Sequence, residues 1–127
     1  MRGQVGGRGD ASVETAWQRY ADLDAWSDWS PQIRKVRSDR RQLAPGLRGA
    51  VVGPFGLAVP FEVLEVDTAV REWVWRVSLL GVKVEMTHAL RAEGGRTIAS
   101  LIADGPAVVV LPYLPIAAVA LGRLTRA

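Results

Sequence analysis

The sequence predicts an α+β domain in which a curved antiparallel sheet packs one face against a long C-terminal helix. Three observations predict it. Residues 12–23 carry one apolar stripe at helical spacing. From about Ile33 to Ala103, apolar and polar residues alternate in runs broken by turn signals. Residues 106–126 form a long, almost uninterrupted apolar stretch. The order is therefore helix, short helix, six strands, long helix, within a single domain spanning 1–127.

The first helix is read from Ser12, a good N-cap, and from Glu14, an acid in the first turn where the helix dipole favours one. Val13, Trp17, Tyr20 and Ala21 then fall at i, i+4, i+7 and i+8. A compact segment follows with Trp26 and Trp29 three apart, and Pro31 ends any helix before the strands begin. Turn signals at Ala44-Pro45-Gly46, Gly53-Pro54-Phe55-Gly56, Asp67-Thr68, Gly81 and Gly94-Gly95 suggest a meander. Leu57, Val59, Phe61 and Val63 share one face; so do Trp73, Trp75, Val77 and Leu79, and so do Val82, Val84, Met86, His88 and Leu90. Their neighbours Glu62, Arg76, Lys83, Glu85 and Arg91 are charged, so one face of the sheet is buried and the other is wet.

The C-terminal stretch closes with Arg123 and Arg126, which suit a helix C-terminus. Gly105 to Gly122 are 18 uncharged residues, the lower length limit of a membrane span. Pro112 and Pro115 would remove backbone hydrogen bonds that lipid cannot replace, so a core helix is expected and stable membrane insertion is not. A helix gripped by a curved sheet, with the helical pair closing one end, leaves a cavity between helix and sheet.

Composition narrows the chemistry. The 127 residues are 49% hydrophobic and 23% charged, with no cysteine, so disulfides and thiolate metal sites are excluded. One histidine leaves no zinc constellation, and no phosphate loop, dinucleotide fingerprint or G-x-S-x-G turn is present, so no metal and no cofactor is expected. The first ten residues are polar and glycine-rich, unlike a secretory leader, which predicts a cytoplasmic protein. The net charge is +3, from 14 Arg and 2 Lys against 13 acids, and Arg34, Lys35, Arg37, Arg40, Arg41 and Arg48 cluster around a single acid, Asp39. No aromatic residue interleaves with that run, so a solvated face is expected and nucleic acid is not. A homodimer is among the assemblies the sequence allows.

The helix with Trp17, then Trp26-x-x-Trp29-Ser30-Pro31 and Ile33, then Phe61-Glu62-Val63 with Glu65-Val66-Asp67, then Trp73-x-Trp75, then His88 before Gly94-Gly95-x-Thr97 follow in order. In that order the chain resembles the polyketide cyclase/dehydrase-like branch of the START-related (SRPBCC) superfamily, from about residue 11 to the C-terminus. The resemblance implies a helix-grip fold, with two short helices after the first strand and a deep apolar pocket. Members bind lipids, polyketides, hormones or other hydrophobic molecules, and some cyclise or dehydrate them. The superfamily has no universal catalytic set to carry over. Its members open with a regular strand; here that strand would be Gln4 to Asp10, with Gly6, Gly7 and Gly9 inside it, and it is expected to be short, frayed or partly missing.

His88 points with Val84 and Met86 toward the expected cavity and is a candidate general acid or base. As a structural residue it would be a core or rim histidine bonded to backbone, and the sequence offers no nearby partner to fix its tautomer, which favours a packing or binding role. Glu65 continues the inward parity of Val59, Phe61 and Val63 and is the second catalytic candidate, although its place beside Asp67 suits a solvated rim carboxylate. The candidate ligand contacts are Trp17, Val59, Phe61, Trp73, Trp75, Val84, Met86, His88, Tyr113 and Leu114. Trp26 and Trp29 are assigned to pinning the helical pair onto the sheet. Three functions follow: a carrier or sensor of a hydrophobic small molecule; a cyclase, aromatase or dehydrase using His88 or Glu65; and an interaction module using the Arg34–Arg48 patch. An open cavity exposing His88 would favour the second, and a collapsed cavity the third.

Overall fold

The alternating runs form a seven-stranded antiparallel sheet in the computed structural model, which describes residues 1–127. The elements are β1 (Arg2–Gly9), α1 (Val13–Ala21), α2 (Trp26–Trp29), β2 (Lys35–Arg37), β3 (Arg48–Val52), β4 (Ala58–Asp67), β5 (Glu72–Leu79), β6 (Val82–Glu93), β7 (Arg96–Asp104) and α3 (Ala107–Leu124). Strands β2 to β7 are a meander, and β1 returns to pair with β7, giving the order β1-β7-β6-β5-β4-β3-β2. The apolar faces meet across it: Trp73 lies opposite His88, Trp75 opposite Met86, Val77 opposite Val84, and Val63 opposite Trp75. The helix-grip architecture is the one expected.

Local chemistry explains the elements. The Ser12 hydroxyl accepts from the Thr15 N–H at 3.1 Å, capping α1. Two strand connections are two-residue turns with both residues at positive φ, Leu80-Gly81 (51° and 81°) and Gly94-Gly95 (56° and 79°). That is the type I′ geometry whose twist matches a hairpin. The Trp26 indole N–H donates to the Tyr20 carbonyl at 2.9 Å and that of Trp29 to the Arg19 carbonyl at 3.1 Å, tying α2 to α1. The Trp26 ring also lies against Phe61, Trp73 and Trp75 of the sheet.

Strand β1 differs from expectation: it is complete, pairing with β7 from Arg2–Asp104 to Gly9–Thr97. Two of its glycines, Gly3 and Gly7, are sites of close approach to α3. A Cβ on Gly3 would stand 2.9 Å from Leu114 Cδ1 and Val110 Cγ1, and one on Gly7 would stand 2.9 Å from the backbone of Leu121 and Gly122. A side chain there would lift the helix off the strand. Leu114, expected at the ligand, is thus packed over Gly3.

Helix α3 is gripped on one side. Val110, Ala117, Ala120, Leu121 and Leu124 are buried, while Val108, Leu111, Ile116 and Val119 are exposed. The sequence reads as apolar all round, yet only 28% of the helix is buried. Pro112 and Pro115 lie inside the helix, which continues through both without their two i→i−4 bonds. Its C-terminus is held by Arg19, which donates to the carbonyls of Leu124 and Arg126 at 2.7 Å each, and by the Thr125 hydroxyl on the Leu121 carbonyl at 2.9 Å. Arg123 lies in the last turn, as expected, and Arg126 just beyond the helix end.

Two stability measurements test this account. Gly7→Val is expected to lower stability by about 1–3 kcal/mol, because the facing atoms are backbone and cannot rotate away. Leu80→Gly is expected to raise it by about 0.5–1 kcal/mol, since an 89% exposed side chain holds a left-handed φ with little packing in return. Urea midpoints of the two variants should therefore move in opposite directions; equal midpoints would contradict both assignments.

Candidate functional site

The space between sheet and α3 divides into a packed half and an open half. In the packed half, Trp17, Tyr20, Trp26, Trp29, Trp73 and His88 interlock, mostly edge to face, with Tyr20 5.4 Å from both Trp29 and Trp73. Residues shrink toward the other end of the sheet: Val77 lies beyond Trp75 on β5, Val84 beyond Met86 on the antiparallel β6, and Ala103 beyond Leu101 on β7. A cavity of about 390 Å³ opens there. Its walls are chiefly Val51, Val59, Val77, Val84, Met86 and Ala103 from the sheet, and Val109, Val110, Tyr113 and Ile116 from α3. Pro54, Leu57, Pro112 and Ile116 line it while exposed to solvent, so the mouth lies between the β3–β4 connection and α3.

Of the candidate contacts, Val59, Trp75, Val84, Met86 and Tyr113 line this cavity. Trp73 and His88 instead face a separate void of about 20 Å³, room for about one water. Trp17 and Phe61 are buried in the packed core and line neither space, and Leu114 is used by β1.

His88 is 4% exposed and stacks on Trp73 with centroids 4.5 Å apart and planes 9° from parallel. Its partners are side chains, not backbone. The Trp75 indole N–H donates to Nε2 at 3.1 Å, and the Tyr20 hydroxyl lies 3.2 Å from Nδ1. An indole N–H can only donate, so Nε2 is the bare nitrogen and the proton sits on Nδ1, donated to the Tyr20 oxygen. Burial lowers the pKa of His88 to about 3 and pushes that of Tyr20 far up. Both ring nitrogens are engaged and the ring is neutral, so His88 presents nothing to the large cavity.

Glu65 is exposed, and its carboxylate makes no hydrogen bond. A β-bulge between Val63 and Glu65 is the cause: Val63 pairs with Trp75, but Glu65 pairs with Val74. The extra residue, Leu64, reverses the alternation, so Glu65 turns to the outer face and Val66 takes the inward place opposite Trp73.

Gln32 is the functional candidate the sequence reading missed. It follows Pro31 in the turn after α2, lines both spaces, and donates from Nε2 to the Tyr113 hydroxyl at 3.2 Å. Its Oε1 is buried with no partner. Burial pushes the Tyr113 phenol up to about 12, partly offset by the bond from Gln32. A polar side chain between Pro31 and the buried Ile33 was the available signal, though a weak one.

On the surface, Arg41 pairs with Asp24 at 2.6 Å and Arg48 with Glu62 at 3.3 Å, whereas Arg34, Lys35, Arg37 and Arg40 make no ion pair. Such exposed pairs contribute about 0.2–1 kcal/mol each and organise no site.

The state of His88 sets a pH dependence. Its folded pKa lies below the unperturbed 6.5, so the unfolded chain binds a proton that the folded protein refuses. This contribution is fully present above pH 6.5 and is lost as the pH falls toward 3. Between pH 7.5 and 5.5 the protein should lose about 1.4 kcal/mol from this group. Urea unfolding of His88→Gln over the same interval should show that loss removed; an unchanged pH slope would mean the ring is not held neutral.

The family model described as polyketide cyclase/dehydrase and lipid transport matches residues 9–125. No curated protein sequence matches the chain. Among solved structures, protein MLL2253 from Mesorhizobium loti superposes with a TM-score of 0.83 at 14% identity, covering 98% of this chain and 94% of that one. CalU16 from Micromonospora echinospora gives 0.77 at 21% identity, over 98% and 71% of the two chains. Ara h 8.0201 gives 0.74 at 13% identity, over 98% and 95%. At these identities the structures speak for the fold, and the family match for membership: the chain belongs to the polyketide cyclase/dehydrase and lipid transport family.

Proposed function

We propose that the protein is a carrier or sensor that holds a hydrophobic small molecule in the cavity between sheet and α3. The observation that carries this reading is the cavity itself: about 390 Å³, with no charged side chain on its walls. That volume lies within the range of about 300–1,000 Å³ typical of small-molecule sites. An apolar molecule entering it exchanges water for dispersion contacts and leaves no buried charge unpaired.

The cyclase, aromatase or dehydrase reading needs a group that moves a proton at the substrate. Its two candidates are poorly placed for that: His88 is sealed behind Trp75 with both nitrogens engaged, and Glu65 faces solvent on the far side of the sheet. The interaction-module reading draws on the four unpaired cations of the Arg34–Arg48 patch, and an open cavity is not what it requires.

A neutral fluorescent probe, N-phenyl-1-naphthylamine, should bind saturably and be displaced by larger apolar molecules. Val59→Trp, which fills the cavity from β4, should weaken the probe at least tenfold while leaving a cooperative melt. His88→Gln should change affinity about tenfold or less, the scale of one hydrogen bond. A folded wild-type protein that binds no probe would overturn the proposal. Turnover of a cyclisation or dehydration substrate that His88→Gln cuts a hundredfold, with binding unchanged, would replace it with the enzyme.

A further inference from the structure

We infer that the cavity selects an uncharged, mainly apolar molecule bearing one hydroxyl group, which Gln32 and Tyr113 hold. The inference rests on the carrier reading and specifies its ligand.

Among the side chains that line the cavity, only Gln32, Tyr113 and Trp75 carry an N–H or O–H group or an amide oxygen. The Trp75 N–H is taken by His88. That leaves one polar spot, the Gln32–Tyr113 pair, and the bond within the pair leaves it incompletely satisfied. As placed, Gln32 Nε2 donates to the phenol oxygen, so the phenol proton and the buried Gln32 Oε1 remain without a partner. If the amide is turned over, the phenol donates to Oε1, and the amide N–H and the phenol oxygen remain. Either way the pair keeps at least one donor and one acceptor unmatched side by side, and one amide atom stays buried without a partner.

Complementarity then sorts ligand head groups. A hydroxyl both donates and accepts, and so satisfies both atoms at once. A carboxylate only accepts, so it leaves the pair's acceptor unmet in either orientation, and it would meet no cation on the cavity wall. An ammonium would meet no carboxylate. A hydrocarbon leaves Oε1 as it is. Burial keeps the Tyr113 phenol protonated across the ordinary pH range, so its donor is retained.

The test compares 2-naphthol with its near-isostere 2-methylnaphthalene and with the anion 2-naphthoate, at pH 7. Each displaces N-phenyl-1-naphthylamine from wild-type protein, Gln32→Leu and Tyr113→Phe. Wild type should bind 2-naphthol more tightly than 2-naphthoate by tenfold or more. The ratio of 2-naphthol to 2-methylnaphthalene affinity should fall about tenfold in either variant, with a cooperative melt showing that each variant is folded. A ratio that is the same in wild type and variants, or naphthoate binding as tightly as naphthol, overturns the hydroxyl assignment and leaves the carrier reading standing. Failure of the dye and of every naphthalene to bind folded wild-type protein removes the carrier reading, and the assignment with it. The comparison of naphthol with naphthoate in wild type decides even if neither variant folds.

Discussion

The hydrogen bond from Trp75 to His88 stands on the boundary between the two halves of the interior. On one side of it the aromatic rings fill the space under α1 and α2, and on the other the valines and alanines leave it open. Trp75 lines both spaces, so its rotamer decides how far the packed half extends. An imidazole that accepts from an indole and donates to a phenol is neutral and immobile, and it gives Trp75 a fixed reason to face inward. Without it, the buried indole N–H would lack a partner, at a cost comparable to a lost hydrogen bond. The cavity thus rests on a closed polar contact beside it, as well as on the small residues that line it.

Division of labour along single strands follows from this arrangement. Strands β5 and β6 grade from large inward residues to small ones in the same direction across the sheet, Trp73 to Val77 and His88 to Val84, and Ala103 lies beside that small end on β7. Native cores pack at near-crystalline density, so a run of small residues beneath a helix either draws the helix in or leaves a void. Here the helix is held at its C-terminal half by the close contacts of Gly7 and Gly9 and by Arg19, and along its β1 side by Val110 and Leu114 over Gly3. Its N-terminal half spans the small residues without collapsing onto them.

Much of this was legible in the residues and some was not. The inward faces of β4, β5 and β6 follow from alternation alone, because period two needs no knowledge of the partner strand. The neighbours of His88 were legible in principle: a two-residue turn at Leu80-Gly81 fixes the register and sets Trp73 and Trp75 beside the ring. The Tyr20 contact, 68 residues away in the chain, was not. Glu65 was misplaced because a bulge inserts a residue without disturbing composition, and Leu64-Glu65-Val66 reads as continued alternation. The glycines of β1 read as weak strand because their use depends on a helix more than a hundred residues later. The Gln32–Tyr113 pair likewise joins two elements 81 residues apart.

The same asymmetry places the least secured part of α3 over the cavity. Val110 is the only buried residue in its first half, whereas Ala117, Ala120, Leu121 and Leu124 anchor the second. Pro112 and Pro115 also remove two backbone bonds from the stretch that forms the cavity roof. Local opening is cheapest where buried apolar contacts are few and backbone bonds are missing, and both conditions fall on this half. The exposed Leu57 and Ile116 stand at the mouth on either side of it. On the carrier reading, a ligand enters by moving the first two turns of α3 and the β3–β4 connection, and the aromatic half stays closed. On that reading, cargo exchange proceeds without disturbing the neutral His88 contact beside the cavity.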